Sequence, residues 1–118
     1  NVVSFGENEN GQLGIGSFND QMSPTQIIDS SSNNINNIQS ISSGFSYSLI
    51  LSENGTIYSS GDNTYGQLGN GNMGNGIKSN YFDVINTSVD SSGYKGNNAV
   101  AIANGYYHTL VLLDFWFV

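Results

Sequence analysis

Residues 6–16 read GENENGQLGIG, and residues 61–71 read GDNTYGQLGNG. Both fit the pattern G-x-N-x-x-G-Q-L-G-x-G, and Gly6 to Gly61 is a step of 55 positions. A long, specific pattern written twice in one short chain marks a repeat architecture, in which each unit is one piece of supersecondary structure. Two further blocks recur in phase around it. IQSISSGFSYSLIL at 38–51 is answered by AVAIANGYYHTLVL at 99–112, with Gly44 aligned on Gly105. GTIYSSG at 55–61 is answered by NVVSFG at 1–6.

These blocks define the order of one unit. An apolar run ends in Ser-Gly at 38–44, and a second run follows at 46–51. Asn54-Gly55 then signals a hairpin of type I′, because Asn and Gly tolerate the positive φ which that turn needs. A third run at 56–59 enters the Gly-rich block, and YFDVI at 81–85 closes the unit, as PTQII at 24–28 closes the preceding one. Pro24 suits a strand start or an edge, where no amide need be donated. Four short strands with tight turns, and no apolar period of helical length, predict an all-β fold. Ile38, Ile41, Leu49, Ile50 and Leu51 read as buried on both faces of their sheet or nearly so. A radial array of four-stranded antiparallel sheets has that property, since each blade lies between two neighbours.

The two Gly-rich blocks, the apolar-Ser-Ser-Gly segment ISSGFSYSLIL and the His-containing strand IANGYYHTLVL resemble the regulator-of-chromosome-condensation repeat family. That resemblance implies blades of a seven-bladed β-propeller. About two blades are expected here: the end of one repeat at 1–28, a full repeat at 38–85 and the start of the next at 99–118. The chain departs from the family pattern in several places. Tyr47 stands where the family usually carries the His kept at His108, and Asn104 replaces a small residue before Gly105. Only about two repeats are present. Phe115-Trp116 falls where a second Asn-Gly turn is due, so the DFWFV tail reads as a truncated or misread end, or else a divergent strand.

The motif residues read as architecture. Gly6, Gly11, Gly14, Gly44, Gly61, Gly66, Gly69 and Gly105 allow crowded or left-handed backbone that a Cβ would block. Leu13 and Leu68 are apolar anchors expected to plug against the sheet. Gln12 and Gln67 offer amides to loop backbone groups, and Asn8 and Asn63 offer side-chain to backbone turns. His108, the sole histidine, reads as a structural hydrogen-bonding residue rather than a general base.

Several apparent sites dissolve on inspection. Gly69, Gly71 and Gly74 spell G-x-G-x-x-G, but a dinucleotide site needs a strand before the motif and a helix after it. The NGIKSNYF that follows has no helical pattern. Glu7 and Glu9 could offer a weak calcium site, but they lack the spacing and distal Glu of an EF-hand and read as solvated acids. Asn54-Gly55-Thr56 and Asn86-Thr87-Ser88 are glycosylation sequons that so Asn-rich a chain produces by chance. Tyr58, Tyr65, Tyr81, Tyr94, Tyr106 and Tyr107 show no stacking ladder along the sequence, although loop tyrosines such as Tyr65 are placed to meet a partner. Phe115, Trp116 and Phe117 form an apolar tail that would mark an interface if exposed.

Charge and composition exclude other classes. Nine acids stand against two Lys and Arg, a net charge of −7. Such a chain lacks the basic surface that phosphate contacts require, and an anionic membrane leaflet would repel it. With no cysteine there is neither a disulfide framework nor a thiolate nucleophile. No basic segment followed by an apolar run opens the chain, so no signal peptide is expected. The expected setting is intracellular, cytoplasmic or nuclear.

The reading is therefore a non-catalytic protein–protein interaction module with no cofactor and no catalytic residue. Its partner is a protein, and open blade edges leave self-association available to it. Two alternatives stand beside it. One, implied by the family resemblance, is a guanine-nucleotide exchange factor or regulator for a Ran-like small GTPase, which needs a complete propeller. The other is an inactive gene fragment.

Overall fold

The computed structural model describes residues 1–85 and 98–114. The sequon at Asn86, Tyr94 and the tail from Phe115 lie outside the described residues. Eight strands occur in the order β1 (Val3–Gly6), β2 (Gln21–Gln26), β3 (Ile38–Ser43), β4 (Tyr47–Ser52), β5 (Ile57–Asp62), β6 (Lys78–Val84), β7 (Ala99–Asn104) and β8 (Thr109–Leu113). There is no helix among the described residues. They form one four-stranded sheet, β3-β4-β5-β6, flanked by the two-stranded sheets β1-β2 and β7-β8, all antiparallel.

The central strand shows why this sequence chooses sheets between sheets. Leu49, Ile50 and Leu51 of β4 are all at most 1% exposed, although consecutive strand residues point to opposite faces. Tyr47, Leu49 and Leu51 pack with Ile57, Leu68 and Ala99, and with Ile102, Val111 and Leu113 of the β7–β8 sheet. Ile50 faces the other way and packs with Ile27, Ile35, Phe82 and Val2 on the β1–β2 side. Fully burying one such side chain stabilises by about 1.5–3 kcal/mol, so the stacking of sheets, rather than any one sheet, supplies the core.

Ile41 departs from the expectation of burial, being 63% exposed. It lies opposite Ile50 across the β3–β4 ladder, so it faces the β1–β2 side. That flanking sheet has two strands, matching β5 and β6 of the central sheet, and no described strand covers Ile41. The Asn54-Gly55 turn also differs from the expected type. Gly55 is left-handed at φ 84°, but Asn54 is not. The Gly55 amide donates to the Ser52 carbonyl at 3.0 Å, and Asn54 Oδ1 accepts from the Thr56 amide at 3.1 Å. The side chain thus caps a type I turn followed by a left-handed Gly, which also closes a hairpin.

The repeat is visible in the ladders. Register shifts between Ser4 and Gly6, and again between Ser59 and Gly61, place a bulge at the same point of both copies. Gly61 takes φ 120° there, and a Cβ on it would sit 2.4 Å from the Ser46 carbonyl oxygen. The backbone of the turn before β4 approaches through the space which the missing side chain leaves. Thr25 pairs with Ser4 and Asp83 with Ser59. Ile27 is therefore the counterpart of Ile85, and the PTQII and YFDVI blocks are one residue out of step.

Candidate functional site

The two Gly-rich loops are built alike, atom for atom at many points. In the first, Asn8 Oδ1 accepts from the Leu13 amide at 3.0 Å, and its Nδ2 donates to the carbonyls of Ser17 at 2.8 Å and Asn19 at 2.9 Å. In the second, Asn63 Oδ1 accepts from the Leu68 amide at 3.0 Å, and Nδ2 donates to Asn70 Oδ1 at 2.9 Å and the Asn72 carbonyl at 3.0 Å. Both asparagines are completely buried, and each has three bonds within the protein in place of the water it has lost. Gln12 Oε1 accepts from the Asn10 amide at 3.0 Å, as Gln67 Oε1 does from the Tyr65 amide at 2.9 Å. Each Gln amide nitrogen then reaches an acid, Glu7 at 3.5 Å and Asp62 at 3.0 Å. Gly11 and Gly14, like Gly66 and Gly69, carry the positive φ of successive turns inside these loops. Leu13 and Leu68 are buried beneath them.

Four hydroxyls that the sequence reading passed over complete the joint. Ser4 Oγ donates to the Leu13 carbonyl at 2.7 Å, and Ser59 Oγ to the Leu68 carbonyl at 2.9 Å. Ser48 Oγ donates to the Gln12 carbonyl at 2.8 Å, and Thr109 Oγ1 to the Gln67 carbonyl at 2.8 Å. Each loop is thereby tied to its own sheet by one hydroxyl and to the following sheet by another. The signal was present: Ser4 and Ser59 share the 55-position step, and Ser48 and Thr109 the step that aligns Gly44 with Gly105.

The turn before each second strand carries a ring over a glycine. The Gly44 amide donates to the Tyr47 carbonyl at 2.8 Å, and the Gly105 amide to the His108 carbonyl at 2.7 Å. A Cβ on Gly44 would meet the Tyr47 ring at 2.1 Å, and one on Gly105 the His108 ring at 1.9 Å. Tyr47 is buried against the following sheet and bonds to its backbone. His108, its counterpart, is exposed. Gly6 stands apart from this crowding, with nothing near the place of its Cβ.

One face of the molecule carries a cluster that the sequence did not suggest. Phe45 stacks on Tyr106 at 4.1 Å between ring centroids, and Tyr106 meets Tyr107 edge-on at 4.3 Å. Tyr65, from the second Gly-rich loop, lies 4.6 Å from Tyr107. All four rings are exposed, Phe45 by 58% and Tyr106 by 54%. The Tyr106 hydroxyl beside it, with lesser contributions from desolvation and from the charges of Tyr106 and Asp62, holds the Tyr107 phenol above its ordinary value. Next to this cluster a cleft of about 350 Å³ is walled by Phe5, Glu7, Gln12 and Phe45.

Nothing among the described residues gathers three metal-ligating His, Asp or Glu side chains. The G-x-G-x-x-G run lies in a loop, where the Gly74 amide donates to the Thr64 carbonyl at 3.1 Å. The strand that follows it, β6, stands where a dinucleotide site needs a helix.

A full four-stranded blade between the halves of two others defines a portion of a β-propeller. Comparison with known proteins gives the family. The regulator of chromosome condensation (RCC1) repeat model matches residues 1–51 and 54–112, and a second model of the same repeat matches 38–67. The chain belongs to the RCC1 repeat family. It is 40% identical over 74 residues to a Protein RCC2 homolog of Xenopus laevis, covering 62% of this chain and 14% of that one. It is 34% identical over 124 residues to an RCC1 domain-containing protein of Dictyostelium discoideum, covering 94% of this chain and 23% of that one. Its fold matches yeast RCC1 (Prp20), solved bound to Kap60, with a TM-score of 0.71 and 23% identity, over 94% of this chain and 25% of that one. The chain spans about a quarter or less of the length of these relatives.

Proposed function

We propose that the chain is part of a non-catalytic protein–protein interaction module of the RCC1 repeat type, working inside the cell in the cytoplasm or nucleus. The observation that carries this reading is a division between residues. The polar side chains of Asn8, Gln12, Asn63 and Gln67 are spent on bonds within their own loops. Four exposed aromatic rings gather on turns at one face. Rigid sheets that project such turns are suited to recognition. The acidic balance directs the module to proteins rather than to nucleic acid or anionic membranes. Sheet edges left unpaired among the described residues would add self-association to its repertoire.

Guanine-nucleotide exchange on a Ran-like small GTPase is the second reading. It is favoured by the similarity to Prp20p of Saccharomyces cerevisiae, whose structure was reported with its binding properties to Gsp1p and histones. An exchange factor needs no covalent chemistry, only tighter binding to the nucleotide-free GTPase than to the loaded one. The test is release of a fluorescent GDP analogue from a Ran-like GTPase, with and without the intact protein. Accelerated release establishes exchange. Stable binding without acceleration leaves the interaction module. No binding removes this GTPase as the partner.

A further inference from the structure

We propose that the aromatic platform of Phe45, Tyr65, Tyr106 and Tyr107, with the cleft beside it, takes a basic peptide segment of a partner protein. This rests on the reading of the chain as an interaction module and names the surface and chemistry of that interaction. Three turns from different parts of the sequence converge to make the platform. Phe45 comes from the turn before β4, Tyr106 and Tyr107 from the turn before β8, and Tyr65 from the second Gly-rich loop. Rings held edge-on and stacked by rigid turns offer faces to a ligand with little ordering cost. Exposed aromatic clusters of this kind mark binding surfaces.

Charge decides which ligand suits them. Glu7 lines the cleft that Phe45 walls, Asp62 lies near enough to act on the Tyr107 phenol, and the chain as a whole carries −7. An aromatic face attracts a cation through its quadrupole, and arginine above all adds planar stacking. A nucleic acid would present phosphates to the same carboxylates and be repelled. The chain already makes this kind of contact elsewhere, with Lys78 Nζ held 4.5 Å from the centroid of the Phe18 ring. A basic side chain on the Phe45–Tyr106 stack, followed by a second toward Glu7 in the cleft, uses both features.

The test is calorimetric titration of the intact protein at low salt with a capped Gly-Arg-Gly-Lys-Gly peptide. The controls are the same peptide with both cations replaced by Glu, and maltohexaose as a neutral sugar. The basic peptide alone should bind, and rising salt should weaken it. Tyr106→Ala and Phe45→Ala should each cost about two- to fivefold in affinity. Both rings are exposed, and unchanged melting of the variants will show that the fold is kept. Binding of the acidic peptide or the sugar instead, no binding at all, or affinity indifferent to both variants would overturn it. Running the GTPase binding assay on the same variants separates the two ideas. A protein that binds the GTPase but no basic peptide loses this proposal and keeps the module.

Discussion

The hydroxyl of Tyr47 donates to the carbonyl of Gly105 at 3.1 Å, across 58 residues of sequence. The same proton is shared with the His108 carbonyl, and Thr109 Oγ1, whose own proton goes to the Gln67 carbonyl, lies 3.4 Å from the phenol oxygen. Tyr47 thus joins one sheet to the turn of the next, from a ring that its own Gly44 leaves room to seat. Tyr47→Phe keeps the ring and loses the hydroxyl, and should cost about 1 kcal/mol. Tyr47→Ala also opens a cavity between sheets and should cost about 3–5 kcal/mol. Denaturant midpoints of the intact protein measure both. Equal, small shifts would mean that Tyr47 holds nothing together.

Leu68 and Gln67 are neighbours with different work to do. Leu68 is 1% exposed in the core between sheets, and Leu68→Ala should cost about 2–5 kcal/mol. Gln67 is also buried, but its side chain is held by the Tyr65 amide and Asp62 within its own loop, and Gln67→Ala should cost about 1 kcal/mol. Thermal melting ranks the two. A Gln67 variant as damaged as the Leu68 variant would refute the role of Leu68 as the plug.

Asn104 ends β7 with both side-chain amide atoms buried and without a hydrogen-bond partner among the described residues. The repeat step places Ser43 at the corresponding position of the other copy. An unpaired buried amide costs free energy, so Asn104→Ser should stabilise the intact protein by about 1 kcal/mol. A lower melting temperature would show that Asn104 is paired in solution.

Leu110 and Leu112 of β8 are 66% and 61% exposed, on a sheet with two strands among the described residues. Stacked repeats bury such faces only against neighbours, and about three or more are normally needed for stability. The isolated 118-residue segment should therefore self-associate, with sedimentation showing dimers or larger species at micromolar concentration. A monodisperse monomer that melts cooperatively would contradict this.

Much of the fold was legible because its signals are local. Asn-Gly and Gly-rich punctuation framed the runs that became β3, β4 and β5, and the two-fold repeat fixed their order. The exposure of Ile41 was not legible, since it depends on how many strands flank that face. The Ser4, Ser48, Ser59 and Thr109 bonds repeat in phase, but in so Ser-rich a chain a recurring hydroxyl looks like composition. Only the pleat, which aims each one at a loop carbonyl, gives it a role. The aromatic platform was invisible for another reason. Its rings come from three turns, and only sheet stacking brings Phe45 onto Tyr106 and Tyr65 beside Tyr107.

The twice-written motif is the centre of this account: it fastens each loop to its sheets and does no chemistry. Asn63 tests that most directly, being completely buried with bonds to Leu68, Asn70 and Asn72. The measurement is the melting temperature of the intact protein carrying Asn63→Ala, taken with its binding to a partner below that temperature. The account predicts a clear fall in melting temperature, because the Leu68 amide and Asn72 carbonyl lose their side-chain partner, with binding kept while the protein stays folded. An unchanged melting temperature together with lost binding would contradict it, and would make the motif itself the recognition surface.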